Sequence, residues 1–198
     1  MFTATVFAEP IDEFVRLLTK FSNTPKLQTQ FTQQTNNTQS EIQRGVFYFV
    51  SPDQFKWEYT YPYEMSIFSY DNALYIYDKV LGHLTIKNIN EENLGPTSIL
   101  TQKSVSQKKL QSLFSKITYH KDNQGHAQFT LIPASSETLF ESLLVTFNLN
   151  EFPKQIAWKD SIGGEHAINF ISIVTNKMLP KDLFLPPHTK NLELYDMR

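Results

Sequence analysis

Between Phe55 and Tyr61 every odd position carries an aromatic ring and every even position a polar side chain: Phe55-Lys-Trp57-Glu-Tyr59-Thr-Tyr61. Successive side chains of a strand point to opposite faces, so the run predicts a strand with one bulky apolar face and one wet face. Met65 and Ile67 carry the apolar row onto a following strand. Such a row is either an ordinary sheet core or, where the covering layer is thin, the wall of a ligand cavity.

The rest of the chain favours strands too. Of its 198 residues 14% are aromatic, with 16 Phe and 9 Tyr against 2 Trp, and only 19% are charged. Aromatic side chains pack well on a pleated surface. The length suits one domain with a large core. A net charge of -2 gives no reason to expect a nucleic-acid partner. With no cysteine, disulfides, thiolate catalysis and cysteine metal sites are excluded. Residues 1–8 are apolar and end Val6-Phe7-Ala8, which reads as a secretory-signal remnant cleaved after Ala8 and leaves 9–198 as a single domain. No stretch reaches the roughly 20 apolar residues needed to span a bilayer.

Pro10 to Phe21 predicts an amphipathic helix. Pro10 suits the first helical position, Asp12 and Glu13 suit the first turn, and Ile11, Phe14, Val15 and Leu18 share one face. From Leu27 the period changes to two. Strand-like runs follow at 45–50, 55–61, 65–70, 73–77 and 84–89, with Asp71-Asn72 as a hairpin signal. Residues 90–116 break the pattern with two short helices, one over 96–100 and one over 105–114. Strands resume at 116–121, 127–132, 143–149, 155–159 and 165–173. This spacing predicts an antiparallel sandwich or barrel.

A search for catalytic chemistry comes back empty. His83, His120, His126, His166 and His188 lie far apart, several near turns, and read as solvated surface residues. Glu91-Glu92 is the one tight acidic pair, in a polar connection. Gly163-Gly164 lies between two strands and reads as a hairpin turn rather than a phosphate loop. Asn36-Asn37-Thr38 matches a glycosylation sequon by chance in an Asn-rich loop. No nucleophile elbow or dinucleotide glycine pattern occurs.

The run Gly45…Ser51-Pro52-x-x-Phe55-x-Trp57-Glu58-Tyr59…Pro62 resembles the signature of the outer-membrane lipoprotein carrier family, the LolA-like periplasmic chaperones. Phe31-x-Gln33 resembles the end of that family's first strand, and residues 70–78 the hairpin that follows. Leu94-Gly-Pro96 with Ile99-Leu100 is similar to its internal lid helix, and Phe184-x-Pro186-Pro187 to its C-terminal motif. One departure is clear: Ser51 stands where the family has an arginine before the proline.

The resemblance implies a mainly β fold, an incomplete, half-open antiparallel barrel with short α-helices as a lid over a hydrophobic cavity. It places Phe55, Trp57, Tyr59, Met65, Ile67, Leu74 and Ile76 on the cavity wall, Phe14, Leu18, Ile99 and Leu100 in the lid, and Ser51 at the gating position. It implies a monomeric periplasmic carrier without cofactor or catalytic residue. Its partners would be acylated lipoproteins, an inner-membrane ABC transporter and an outer-membrane receptor. A carrier or sensor of another amphiphile on the same half-barrel is the alternative. Because serine is too short for the arginine's bonds, the lid would be held by apolar contacts from Ile99, Leu100 and the first helix, or by another basic residue such as Lys56 or Arg44.

Overall fold

The structure is a computed structural model that describes residues 9–35, 42–89, 95–101 and 105–198. The sequon and Glu91-Glu92 lie outside the described residues.

Helix α1 spans Pro10–Ser22, with Pro10 in the first turn, Asp12 and Glu13 at the amino end and Lys20 near the carboxyl end. Its buried face is Phe14, Leu17, Leu18 and Phe21. Ile11 and Val15, expected to share that face, are half-buried at its border. The rotation follows from Phe14, whose ring packs against Phe129 at 4.8 Å and Phe147 at 6.1 Å.

Twelve strands form one sheet: β1 Lys26–Thr35, β2 Gln43–Val50, β3 Gln54–Tyr61, β4 Met65–Tyr70, β5 Ala73–Asp78, β6 His83–Asn88, β7 Phe114–Lys121, β8 Ala127–Pro133, β9 Phe140–Phe147, β10 Pro153–Asp160, β11 Glu165–Thr175 and β12 Glu193–Asp196. The order is β12-β6-β5-β4-β3-β2-β1-β11-β10-β9-β8-β7. Two antiparallel meanders therefore meet at the β1–β11 ladder, and the sheet stays open, with β12 and β7 at its edges. The hairpin signal at Asp71-Asn72 holds: both residues have positive φ, 48° and 57°, as a two-residue type I′ turn requires. Gly163, at φ 88°, turns the β10–β11 hairpin, as the sequence predicts.

Between β6 and β7 come a 3-10 turn at Gly95–Thr97, α2 at Ser98–Thr101 and α3 at Gln107–Leu113. Ser106 caps α3 by accepting the Lys109 N–H. All three helices lie on the inner face of the sheet. The main core fills the space between, from Leu74 on β5 round to Phe129 on β8.

A second core on the outer face departs from the sequence expectation. Phe68, Ala73, Tyr75, Leu84 and Ile86 are buried there, with Tyr70, Tyr77 and Leu192 packed alongside. The C-terminal segment covers this face: the carbonyl of Leu183 accepts from Lys56 Nζ at 3.2 Å, and β12 joins β6. That last pairing is parallel, whereas every other ladder among the described residues is antiparallel. Strands β4 and β5 thus carry apolar side chains on both faces, which a period-two reading of one face misses.

Gly45 is required by a close approach. A Cβ there would press into the Glu58 carbonyl and the Phe31 ring, which lies directly across the ladder. The aromatic ring covers the bare glycine backbone and is thereby held against Trp57 and Tyr59, each at 5.1 Å.

Candidate functional site

The site is the apolar layer between the helices and the inner sheet face. The β3–β4–β5 register puts Phe55, Trp57 and Tyr59 on one face with Ser69, Ile67 and Met65, and then with Leu74 and Ile76. Trp57 is the centre of an aromatic cluster, 4.3 Å from Phe47 and 6.0 Å from Phe170. Phe55 is fixed by its backbone: its N–H donates to Ser69 Oγ at 2.9 Å, and Ser69 in turn donates to the Asp53 carbonyl at 3.0 Å. This buried hydroxyl locks the β2–β3 turn onto β4.

Burial falls along these strands from one end to the other. At the β2–β3 turn end, Phe55 and Leu74 are sealed in the main core, as is Trp57. Toward the β3–β4 turn, Tyr59, Ile67 and Ile76 are half-buried against the same core. Met65, beside Tyr59, is half-buried and lies outside the cluster. Tyr59 keeps its polar tip satisfied by donating to Gln33 Oε1 at 2.9 Å, and burial pushes its phenol up to about 12. The inner face is thus sealed at one end of these strands and only partly covered at the other.

The helices cover the remaining inner face. Phe14 sits on β8 and β9, Phe21 stacks on Phe49 of β2 at 5.0 Å, and Leu18, Ile99 and Leu100 are buried in the same core. The 3-10 turn lies against β9 and β10, and α2 against α1. The sequence reading missed Leu17 and Phe21, although Leu17 and Phe21 follow Phe14 at i+3 and i+7.

Ser51 lies half-buried in the β2–β3 turn, where its backbone N–H donates to the Pro25 carbonyl at 3.1 Å. Ser51 therefore adjoins the connection between α1 and β1. Lys56 and Arg44 do not hold the helices. Lys56 points outward to Leu183 and Glu58, and Arg44 lies over the Tyr61 ring at 5.4 Å. Both alternate onto positions that face away from the helices. The cations that tie down α1 are its own: Arg16 and Lys20 both bind Glu151 in the β9–β10 turn, at 2.7 Å and 2.5 Å. Those two hydrogen bonds hold the Glu151 carboxyl down to about 2.

Two histidines expected on the solvated surface are partly buried turn staples. His126 Nδ1 lies 2.8 Å from Asp122, and His166 Nε2 lies 2.9 Å from Asp160 while its ring stacks on Trp158. Among the described residues no group of His, Asp and Glu is arranged to hold a metal ion. Nor is any described helix long and apolar enough to cross a membrane.

The same layered arrangement occurs in known proteins. A conserved protein from Thermus thermophilus superposes with a TM-score of 0.59 at 12% identity, covering 93% of this chain and 98% of that one, a likeness of fold. At the sequence level the chain is 29% identical over 184 residues to the outer-membrane lipoprotein carrier protein of Pseudomonas fluorescens (strain Pf0-1), covering 91% of this chain and 87% of that relative. The carrier protein of Neisseria meningitidis serogroup C is 28% identical over 160 residues, covering 79% and 72%. The family model for the outer membrane lipoprotein carrier protein LolA matches residues 22–186, which include the Ser51–Pro62 run, the β4–β5 hairpin and the Pro186 motif. With the half-covered sheet and the family pattern in agreement over most of its length, this chain belongs to the outer membrane lipoprotein carrier family.

Proposed function

We propose that this protein is a periplasmic lipoprotein carrier. It takes the acyl chains of lipoproteins released by an inner-membrane ABC transporter, shields them between α1–α3 and the inner sheet face, and yields them to an outer-membrane receptor. It acts as a monomer, needs no cofactor and performs no covalent step. The observation that carries this reading is the burial gradient along β3–β5, from the sealed Phe55 and Leu74 to the half-buried Tyr59, Ile67 and Ile76.

The energetics suit that geometry. Burying a methylene is worth about 0.8 kcal/mol, so leaving a chain of about fifteen methylenes in water costs on the order of 12 kcal/mol. A carrier must remove that surface from water yet release it. Without a ligand, the apolar faces of the short helices pack on the inner sheet face. An incoming chain replaces one apolar partner with another, and only the difference appears as affinity. Aromatic walls offer large area at small entropy cost.

Native mass spectrometry of the protein purified from the periplasm of its source tests the reading. A bound acylated protein is the expected result. A bound glycolipid or other amphiphile would favour the alternative carrier, and a ligand-free protein throughout would overturn both.

A further inference from the structure

The inner face changes character along β1. Leu27, Thr29 and Phe31 are buried on it, whereas Gln33 and Thr35, the next two side chains on that face, are half-buried. Thr29 spends its hydroxyl within the sheet, donating to the Ile171 carbonyl at 2.9 Å. Thr35 is engaged as well. Its Oγ1 lies 3.0 Å from His166 Nδ1, and His166 Nε2 lies 2.9 Å from Asp160 Oδ2, which occupies both ring nitrogens.

Gln33 differs from these neighbours. Its Oε1 accepts from the Tyr59 hydroxyl at 2.9 Å, and that bond fixes which way the amide faces. The Tyr59 ring stands edge-on against Phe31 at 5.1 Å, and its phenol, pushed up to about 12 by burial, stays protonated as a donor. The two N–H bonds of Gln33 Nε2 have no partner among the described residues. Their surroundings are largely apolar: Ile168, across the ladder, and Phe31, two residues back on β1, are each 1% exposed. Gln43 faces Gln33 across the other ladder, but no bond to a described residue orients its amide.

We infer that Gln33 is a specificity residue, whose amide N–H groups hydrogen-bond the carbonyl linking an acyl chain to its head while the hydrocarbon lies toward Phe31, Phe47 and Trp57. These rings belong to one cluster, with Trp57 5.1 Å from Phe31 and 4.3 Å from Phe47. An acyl chain is apolar except at the ester or amide carbonyl where it begins. The inner face offers an oriented donor where its sealed apolar cluster gives way to half-buried residues. A chain laid over Gln33 strips water from the N–H groups, and a carbonyl restores the lost bond. A plain alkyl chain leaves them unpaired. The inference rests on the carrier reading, because it assigns a ligand to the same face.

A matched pair of lipids tests it: 1-palmitoylglycerol and 1-O-hexadecylglycerol, which differ only in the ester carbonyl. Both are titrated at pH 8 into the full chain and followed by the fluorescence of Trp57 and Trp158. The ratio of ester to ether affinity should be about threefold to tenfold higher in wild type than in Gln33→Met, the range of one hydrogen bond. Gln33→Glu, which still accepts from Tyr59 but has no N–H, should show the lower ratio too. Gln43→Met should keep the wild-type ratio. A merely structural role for Gln33 would weaken both lipids alike and leave the ratio unmoved. With both lipids bound, a ratio unchanged in either Gln33 variant, or lowered equally in Gln43→Met, would overturn the inference and leave the carrier reading standing. Failure of wild type to bind either lipid would remove the carrier reading and this inference with it.

Discussion

Arg16 Nη2 donates to Glu151 Oε1 across 2.7 Å and so ties the first helix to a turn 135 residues further along the chain. Lys20 adds a second bond to the other oxygen of the same carboxylate, at 2.5 Å, and a third to the Asn150 carbonyl at 3.3 Å. This clasp and the apolar contacts of Phe14, Leu17, Leu18 and Phe21 hold α1 on the inner sheet face, against Phe49, Phe129 and Phe147. Replacement Glu151→Gln should speed amide exchange across residues 10–22 by about twofold to fivefold, the range of an exposed ion-pair network, with little change elsewhere. Uniform protection in the variant would assign the hold on α1 to apolar contacts alone.

Acid should open the same clasp. The Glu151 carboxyl sits at about 2, below the usual glutamate range, because Arg16 and Lys20 donate to its charged form. A depressed carboxylate contributes in full above its unfolded value of about 4.5, and that contribution declines as pH falls toward 2 and is gone below it. Exchange in α1 should therefore rise between about pH 4.5 and pH 2 in wild type, and the rise should be smaller in Glu151→Gln. Parallel profiles for the two proteins would show that other groups set the acid response.

Ser51 and Leu100 separate two accounts of the lid. The Ser51 contact to the α1–β1 connection runs through its backbone N–H, which alanine keeps. Ser51→Ala should thus leave exchange over residues 95–101 unchanged. Leu100 is buried in the main core, and its truncation typically costs about 2–5 kcal/mol. Leu100→Ala should accelerate exchange in the same residues clearly. The reverse ranking would make the Ser51 hydroxyl the latch.

Gly45 gives a test of the fold that supports the site. An added Cβ would collide with the backbone of Glu58, which cannot move without disturbing β3. Gly45→Ala should destabilise by about 1–3 kcal/mol in urea unfolding. A neutral effect would mean that Phe31 and the β2–β3 ladder shift without cost.

Much of this architecture is legible in the sequence, because strict alternation and good turn residues leave few choices. Met65–Tyr70 is bounded on one side by a proline turn and on the other by Asp71-Asn72, and its limits are those of β4. Strands with weaker borders run longer than their apolar pattern, since ladder bonds continue through polar positions such as Gln43 and Gln54. The outer core was hidden because Phe68, Tyr75 and Leu84 occupy the face that polar residues take in β3. Only the C-terminal segment, distant in sequence, makes that face an interior. The clasp was illegible for the same reason: nothing local to Glu151 marks it as a partner of α1. The wall residues do share one face as their spacing predicts, but how far each is covered depends on where the helices sit.

The central claim is that acyl chains occupy the layer between the helices and the inner face of β3–β5. Photocrosslinking measures this directly, with a photoreactive amino acid placed at Ile67 on the inner face and, separately, at Tyr48, which alternates onto the outer face of β2. A triacylated lipoprotein should crosslink through its acyl chains at Ile67 and not at Tyr48. Equal crosslinking at both positions, or crosslinking at Tyr48 alone, would contradict the claim.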